Sequence, residues 1–235
     1  MSSPIGSTSG YVADQAQAIR ISAFLQKVYG WMFVGLAITA LVAYAVAGSP
    51  AIVQTLAGNR LLFWAVLLAP LGFVWYLGAR VGSLAPSTAA TLFAVYAGLN
   101  GVTFAFVLLA YTGASIASTF LTTSAMFGAL ALYGTITKRN LSGLGQFAFM
   151  GLIGVVIASI IGIFWQNDMF QFVLSVCGVV VFTALTMWDA QKLKAMALAL
   201  PDGQTGSYAV VGALSLYLDF INLFLFLLRL FGRRR

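Results

Sequence analysis

Seven long apolar segments constrain this chain more than any other feature of its sequence. Each has about the 20 residues that a helix needs to cross the hydrocarbon core of a bilayer, and short loops join them. Of the 235 residues 61% are hydrophobic and 7% are charged, whereas a soluble domain is about 25% charged. No water-soluble fold could bury this much apolar surface, and the segment lengths favour helices over a barrel. The sequence therefore predicts an all-α polytopic membrane protein.

The predicted spans divide the chain into a short tail and one membrane domain. Residues 1–19 are polar and rich in Ser and Gly, so they are predicted to be a disordered tail. The tail has no basic stretch ahead of an apolar core, which excludes a signal peptide and makes the first span an uncleaved anchor. Residues 20–235 form the single membrane domain, with predicted spans at 28–47, 61–79, 87–110, 115–136, 147–164, 170–189 and 207–230.

Basic residues in the loops predict the orientation. With a cytoplasmic N-terminus the outer loops hold only Arg60, and the inner side collects Arg20, Lys27, Arg80, Lys138, Arg139, Lys192 and Lys194. By the positive-inside rule this predicts a multi-pass protein of the cell inner membrane with its N-terminus in the cytoplasm. Arg229 and the arginines at 233–235 disagree, because seven full crossings place them outside. A re-entrant last segment would return them to the cytoplasm, and the pattern leaves both arrangements open.

Composition excludes several functions. The chain has no histidine, which removes histidine-type zinc sites, His-ligated haem, Ser-His hydrolysis and a histidine pH switch. Its one cysteine, Cys177, excludes an internal disulfide and a multi-cysteine metal site. No basic stripe interleaved with aromatic residues is present, so nucleic acid is not a predicted partner. The lipid bilayer is a predicted partner. We predict no catalytic residue and no bound cofactor, and therefore no enzyme.

Two carboxylates stand inside or at the end of apolar segments. Asp219 lies within the last span and Asp189 closes the sixth, in a chain with only five acidic residues. A charge held in hydrocarbon costs from about 3 to more than 10 kcal/mol, which makes such residues functional candidates. If the two side chains meet, they cannot both ionise cheaply and titrate as a unit that shares one proton. Loss of that proton would leave two like charges that push the helices apart, so the pair is a candidate pH sensor.

The same pair is a candidate ion site. Deprotonated, it would offer anionic oxygens flanked by the Asn222 amide and the hydroxyls of Ser215 and Tyr217. Ca²⁺ takes six to eight hard oxygen ligands, so two carboxylates suit a weak, transient ion on a conduction path.

Structural roles compete with these readings. Asp189 can be a solvated helix-end residue paired with Lys192, and Asp219 a hydrogen-bonding group between helices. Arg80 is most simply a topology anchor at the inner end of the second span, and its functional alternative is a counter-ion to Asp189.

Four stretches resemble the Bax inhibitor (transmembrane Bax-inhibitor-motif) family, and the resemblance extends over nearly the whole chain from residue 20. The C-terminal stretch 212–224 is the most specific. It is followed by Leu227, Leu228, Arg229 and Gly232; the other stretches are 29–32 (YGWM), 133–142 (YGTITKRNLS) and 186–194 (TMWDAQKLK). The usual family signature has Thr where this chain has Ala190, between Asp189 and Gln191.

The resemblance implies seven helices, with the last one central and surrounded by the other six. It also implies a pH-sensitive calcium leak in which Asp189 pairs with Asp219, and it matches Arg80 more loosely to a basic residue that engages Asp189. A full seventh crossing is the family arrangement and is therefore the arrangement we expect here.

Three functions follow as hypotheses. The first is a passive leak for Ca²⁺, a cation that the pair binds only in transit. The second is a modulator that binds another membrane complex, such as a membrane protease or a stress or cell-death regulator. The third is an intramembrane aspartyl protease, which is disfavoured because the residues before Asp219 are Leu216, Tyr217 and Leu218 and not the Gly-x-Gly of such enzymes.

Overall fold

Eight helices make up the fold in the computed structural model, which describes residues 5–80, 84–165, 167–201 and 205–235. All of them except α2 are long and apolar enough to cross a membrane. This confirms the predicted all-α polytopic fold with seven spans. The helices are α1 (Ile5–Ala47), α2 (Pro50–Gly58), α3 (Arg60–Arg80), α4 (Pro86–Ala110), α5 (Gly113–Ile136), α6 (Ser142–Phe164), α7 (Asp168–Ala199) and α8 (Thr205–Phe231).

The connection after the first span and the end of the sixth span differ from the sequence prediction. The short helix α2 occupies the first connection, and it begins with a proline at the position where a missing N–H costs nothing. Helix α7 continues past Asp189 to Ala199, because the added residues are mostly Ala, Leu, Lys, Met and Gln, which favour helix. Asp189 therefore lies inside a helix and not at its end.

The N-terminal segment also differs from the prediction. Residues 5–19, predicted as part of a disordered tail, form the first turns of α1. Ala and Gln alternate through positions 15–18, and neither residue interrupts a helix that the apolar span downstream already nucleates. The part of the prediction that concerns residues 1–4 lies outside the described residues.

Helix α8 is the central element. Its most apolar window is 72% buried, whereas no other span found among the described residues exceeds 39%. It packs against α1, α3, α4, α5 and α7, while α6 packs on α7 from the outside. This central position places most side chains of α8 against protein, although a stripe with Ser215, Leu218 and Asn222 is only half-buried.

The C-terminal residues show that α8 crosses completely. The backbone N–H of Thr112 donates to the Arg233 carbonyl at 3.0 Å, and that of Arg235 donates to the Ala110 carbonyl at 3.0 Å. The tail is thus fixed to the α4–α5 connection. The 27 residues of α8 extend about 40 Å, enough to cross. The other end of the bundle carries the α7–α8 connection, where the Arg20 guanidinium donates to the Leu200 carbonyl. The re-entrant alternative is therefore wrong.

Candidate functional site: two aspartates on helices α7 and α8

Asp219 is a buried carboxylate on the central helix. Its side chain is 4% exposed, and within the described part of the chain its Oδ2 atom has no hydrogen-bond partner. A buried polar atom left without a partner costs about 1–3 kcal/mol, and more when it is charged. The fold keeps this atom buried in spite of the cost, and this makes Asp219 a candidate functional residue.

Close packing of α7 and α8 brings Asp189 to the same region. A β-carbon on Gly178 would collide with the Phe226 ring, and one on Gly212 would collide with Leu193. In an antiparallel helix pair these two contacts bracket the segment that carries both aspartates. Asp189 is half-buried there, close enough for its charge to repel a negative charge on Asp219.

Lys192 is a cation whose charge acts on this pair. It lies one turn after Asp189 on α7, and its charge attracts a negative charge on either aspartate. Its Nζ atom also lies 5.1 Å from the centre of the Trp188 ring. The sequence reading that places Lys192 beside Asp189 is therefore correct in position, although Asp189 is not at a helix end.

A cavity of about 310 Å³ leads from the α7–α8 connection towards the pair. Asp189, Lys192, Tyr208 and Ser215 line it, together with Gly78 of α3. Ser215 is one helical turn before Asp219, so the inner end of this cavity approaches both carboxylates. Two carboxylates, two hydroxyls and one ammonium group thus share this end of the bundle.

The remaining predicted polar groups differ in their position relative to the aspartate pair. Arg80 is exposed at the last position of α3, two residues beyond the cavity-lining Gly78. Asn222 is one turn after Asp219, and its Nδ2 donates to the Leu218 carbonyl at 2.8 Å, so its amide is directed back along its own helix. Tyr217 is two residues from Asp219, about 200° around the helix, and lies on the other side of α8.

Tyr217 belongs to a second buried polar cluster. Its hydroxyl lies 2.7 Å from Thr39 Oγ1 of α1, and that atom is also 2.9 Å from the Gly35 carbonyl and 3.0 Å from the Ala97 carbonyl. The Tyr96 ring packs edge-on against Tyr217 with centroids 5.7 Å apart. Sequence reasoning did not find this cluster. The only signal for Thr39 was a lone hydroxyl within the first apolar span, and such hydroxyls commonly bond their own helix backbone.

Aromatic side chains fill the bundle on the other side of Asp219. The Phe220 ring packs against Phe120 and Phe127, each with centroids 5.5 Å apart, and Phe224 stacks on Phe104 at 6.1 Å. These rings belong to α4, α5 and α8. They lie between the aspartates and the end of the bundle that holds the C-terminus.

Two of the segments that carry the family resemblance contact each other beside the site. Gln191 donates to the Arg139 carbonyl at 2.8 Å and accepts from the Leu141 N–H at 2.8 Å. Gly134 of α5 lies against the backbone of Met187, where no β-carbon fits. These contacts hold the Asp189 region of α7 against α5 and its following loop.

The fold and the site together define a multi-pass membrane protein in which six spans enclose or support a central helix with a buried carboxylate. The family model described as "Inhibitor of apoptosis-promoting Bax1" matches residues 21–235. The chain therefore belongs to the Bax inhibitor family, as the motifs of the sequence indicate.

Relatives from distant bacteria match over nearly their full length. The Escherichia coli K12 inner membrane protein YbhL is 44% identical over 218 residues, which cover 92% of this chain and 93% of YbhL. An uncharacterized protein of Borreliella burgdorferi is 39% identical over 90% of this chain and 92% of its own length. An uncharacterized membrane protein of Streptococcus pyogenes is 36% identical, with 92% and 94% covered. None of these names is that of an enzyme.

Proposed function

We propose that this protein is a passive leak path for cations, chiefly Ca²⁺, and that the protonation of Asp189 and Asp219 controls its opening. The observation that carries the proposal is the buried Oδ2 of Asp219, which has no hydrogen-bond partner among the described residues and lies within reach of the charge of a second carboxylate. Membership in the Bax inhibitor family supports the same assignment. The family resemblance also implies a calcium leak with an aspartate on each of these two helices.

The chemistry of a carboxylate pair explains a response to pH. When the pair holds one proton, a single negative charge is shared between the helices and Lys192 offsets part of it. When that proton leaves, two like charges face each other in a medium of low dielectric constant, where their repulsion is several times stronger than in water. The repulsion favours separation of α7 and α8. Opening is therefore expected to increase as the pH rises.

The cavity on one side of the pair and the aromatic rings on the other suggest the course of the path. The cavity lined by Asp189 and Ser215 serves as the vestibule through which the cation arrives or leaves. Phe220 and Phe224 close the route in this conformation. Conduction then requires the half of α8 that carries Phe220 and Phe224 to move relative to α4 and α5. The present structure is therefore the closed state.

We place the protein in the inner membrane with a cytoplasmic N-terminus. YbhL is named as an inner membrane protein, and the basic residues of the loops favour this orientation by the positive-inside rule. The vestibule then opens towards the cytoplasm.

Calcium flux into proteoliposomes tests the proposed function. Purified protein is reconstituted with a Ca²⁺ indicator inside the vesicles, and the initial flux is measured across a series of pH values. Asp189→Asn and Asp219→Asn should each flatten the pH dependence, because a single ionisable group cannot produce paired repulsion. Asp168→Asn is the matched control, since Asp168 is an exposed carboxylate at the start of the same helix.

Two results decide the outcome. The proposal is wrong if both aspartate variants, recovered as monodisperse protein, keep the wild-type flux and the wild-type pH response. It is equally wrong if the wild-type protein adds no flux over empty vesicles at any pH. A change confined to Asp168→Asn would place the sensing group elsewhere.

A further inference from the structure

A groove separates α1 from α5 at the end of the bundle that holds the α7–α8 connection. Both helices pack on α7 and α8, but in the described part of the chain they make almost no contact with each other. Two cavities lie in this gap, one of about 770 Å³ and one of about 630 Å³. They share Leu25, Tyr29 and Thr135, so they form one continuous groove, which we call the α1–α5 groove.

The two ends of the groove differ in chemistry. Near the bundle end it is lined by the side chains of Ser22, Tyr29, Thr135 and Lys194, and no acidic side chain is among its described lining residues. The Lys194 ammonium donates to the Thr135 carbonyl at 2.7 Å, which fixes one positive charge here and leaves two of its N–H donors for another acceptor.

Deeper in the membrane the lining becomes apolar. Met32, Phe33, Leu36 and Phe127 line this part, and Gly128 leaves it open, since a β-carbon built there meets no atom within 4 Å. From Tyr29 to Leu36 the groove extends about 10 Å along α1. That length stays within one leaflet of a hydrocarbon core about 30 Å thick.

We propose that the α1–α5 groove is a binding site for a phospholipid with an anionic headgroup. Its phosphate lies at Lys194, beside the side chains of Tyr29 and Thr135, and one acyl chain lies over Gly128 against Phe33 and Phe127. The site does not depend on the proposed ion leak, because it uses neither aspartate and none of the residues identified as lining the vestibule.

The arrangement of charge and apolar surface favours a lipid over a protein partner. The groove has a basic, hydroxyl-bearing end near the membrane surface and a wholly apolar section deeper in the membrane. A phospholipid has its phosphate and its acyl chain in the same order within one leaflet. Basic residues close to a membrane surface attract anionic lipids, and each contributes a modest share of the affinity. Lys138 and Arg139 follow α5 within three residues of Ile136, which also lines the groove, and they add positive charge on the same side.

Native mass spectrometry of the detergent-solubilised full-length protein tests the site. The protein is titrated with phosphatidylglycerol and, separately, with phosphatidylcholine, and the bound fraction is read for each. Gly128→Leu should abolish the tightest phospholipid adduct, because the new side chain occupies the acyl section and its β-carbon meets no atom of the protein. Gly154→Leu is its matched control, since Gly154 is an exposed mid-span glycine on α6 with equally open surroundings.

A second pair of variants tests the headgroup. Lys194→Gln should weaken phosphatidylglycerol binding about fivefold and leave phosphatidylcholine nearly unchanged. Lys192→Gln removes the same charge from the same helix but lines the vestibule, so its phosphatidylglycerol binding should remain at the wild-type level.

Three results would overturn the lipid assignment. One is an unchanged adduct in Gly128→Leu, and another is an equal loss in Gly154→Leu, which would indicate a general effect of added bulk. The third is a dimer that Gly128→Leu dissociates, which would make a second copy of the chain the occupant. Because none of these readouts measures ion flux, their outcome is independent of the leak.

Discussion

The hydroxyl of Tyr217 on the central helix lies 2.7 Å from Oγ1 of Thr39 on α1. Both side chains are buried, and Thr39 also contacts the Ala97 carbonyl of α4 at 3.0 Å. One small cluster therefore joins three helices through hydroxyl and carbonyl groups. It lies two residues from Asp219 on the other side of α8, so it fixes the rotation of the helix that carries the buried carboxylate.

Tyr217→Phe should destabilise the protein by about 1 kcal/mol, because it removes one interhelical hydrogen bond while the ring packing remains. Thermal unfolding in detergent, followed by tryptophan fluorescence, measures the change. Tyr44→Phe is the control, since Tyr44 is 78% exposed on α1 and its hydroxyl has no buried role. An equal loss of stability in both variants would show that the contact with Thr39 does not contribute the predicted stability.

Gly134→Ala should destabilise the protein by at least about 1–3 kcal/mol, the usual cost of overpacking. The added β-carbon would meet the Met187 backbone, which cannot rotate away as a side chain can. Gly128→Ala on the same helix should be neutral or stabilising by up to about 1 kcal/mol, because its surroundings are open and alanine favours helix. The midpoint of thermal unfolding compares the pair, and equal midpoints would contradict the tight α5–α7 crossing.

Asp219→Leu should stabilise the protein by about 1–3 kcal/mol, since it replaces a buried oxygen, which has no hydrogen-bond partner within the described residues, by an apolar group of similar shape. The gain should be larger at high pH, where the carboxylate is more often charged in its apolar surroundings. Unfolding midpoints of wild-type protein and variant at an acidic and an alkaline pH check both statements. A variant that unfolds earlier than wild type at both pH values would show that Asp219 makes a stabilising contact.

Lys192→Gln should move the pH response of the calcium flux to higher pH. Lys192 attracts the negative charge of both aspartates, so without it their last proton is held more strongly. The flux assay over a pH series gives the midpoint directly. Lys194→Gln serves as the control, because the Lys194 ammonium is bound to the Thr135 carbonyl on the α5 side. A midpoint that moves to lower pH, or moves equally in both variants, would contradict the role of Lys192.

Removal of residues 2–13 separates the leak from the alternative of a modulator. A leak path formed by α7 and α8 should keep its flux, because these residues precede the part of α1 that lines the α1–α5 groove and contacts Leu200. A modulator that docks through its N-terminus should lose its partner, measured by co-purification from the native membrane with the full-length chain as reference. Lost flux in the shortened chain would tie the N-terminal turns of α1 to conduction.

The sequence predicted the number and order of the seven spans, since each is a long apolar run that only a helix can carry through hydrocarbon. The spans predicted at 87–110 and 115–136 agree with α4 and α5 to within two residues. It did not predict α2 or the continuation of α7 to Ala199. Both lie where polar or short segments end the apolar signal, and hydropathy carries no information on helices beyond the span.

The candidate site divides in the same way. Sequence alone identified Asp189 and Asp219, because a carboxylate within an apolar run is visible without any structure. Ser215 and Asp189 line one cavity, Tyr217 is separated from both, and Lys194 lies in another groove. Only the rotation of α7 and α8 in the packed bundle decided these placements. Those rotations depend on close contacts such as Gly178 with Phe226 and Gly212 with Leu193. Apolar composition determines that a helix enters the membrane. The shape of the neighbouring helices determines which way each of its side chains faces.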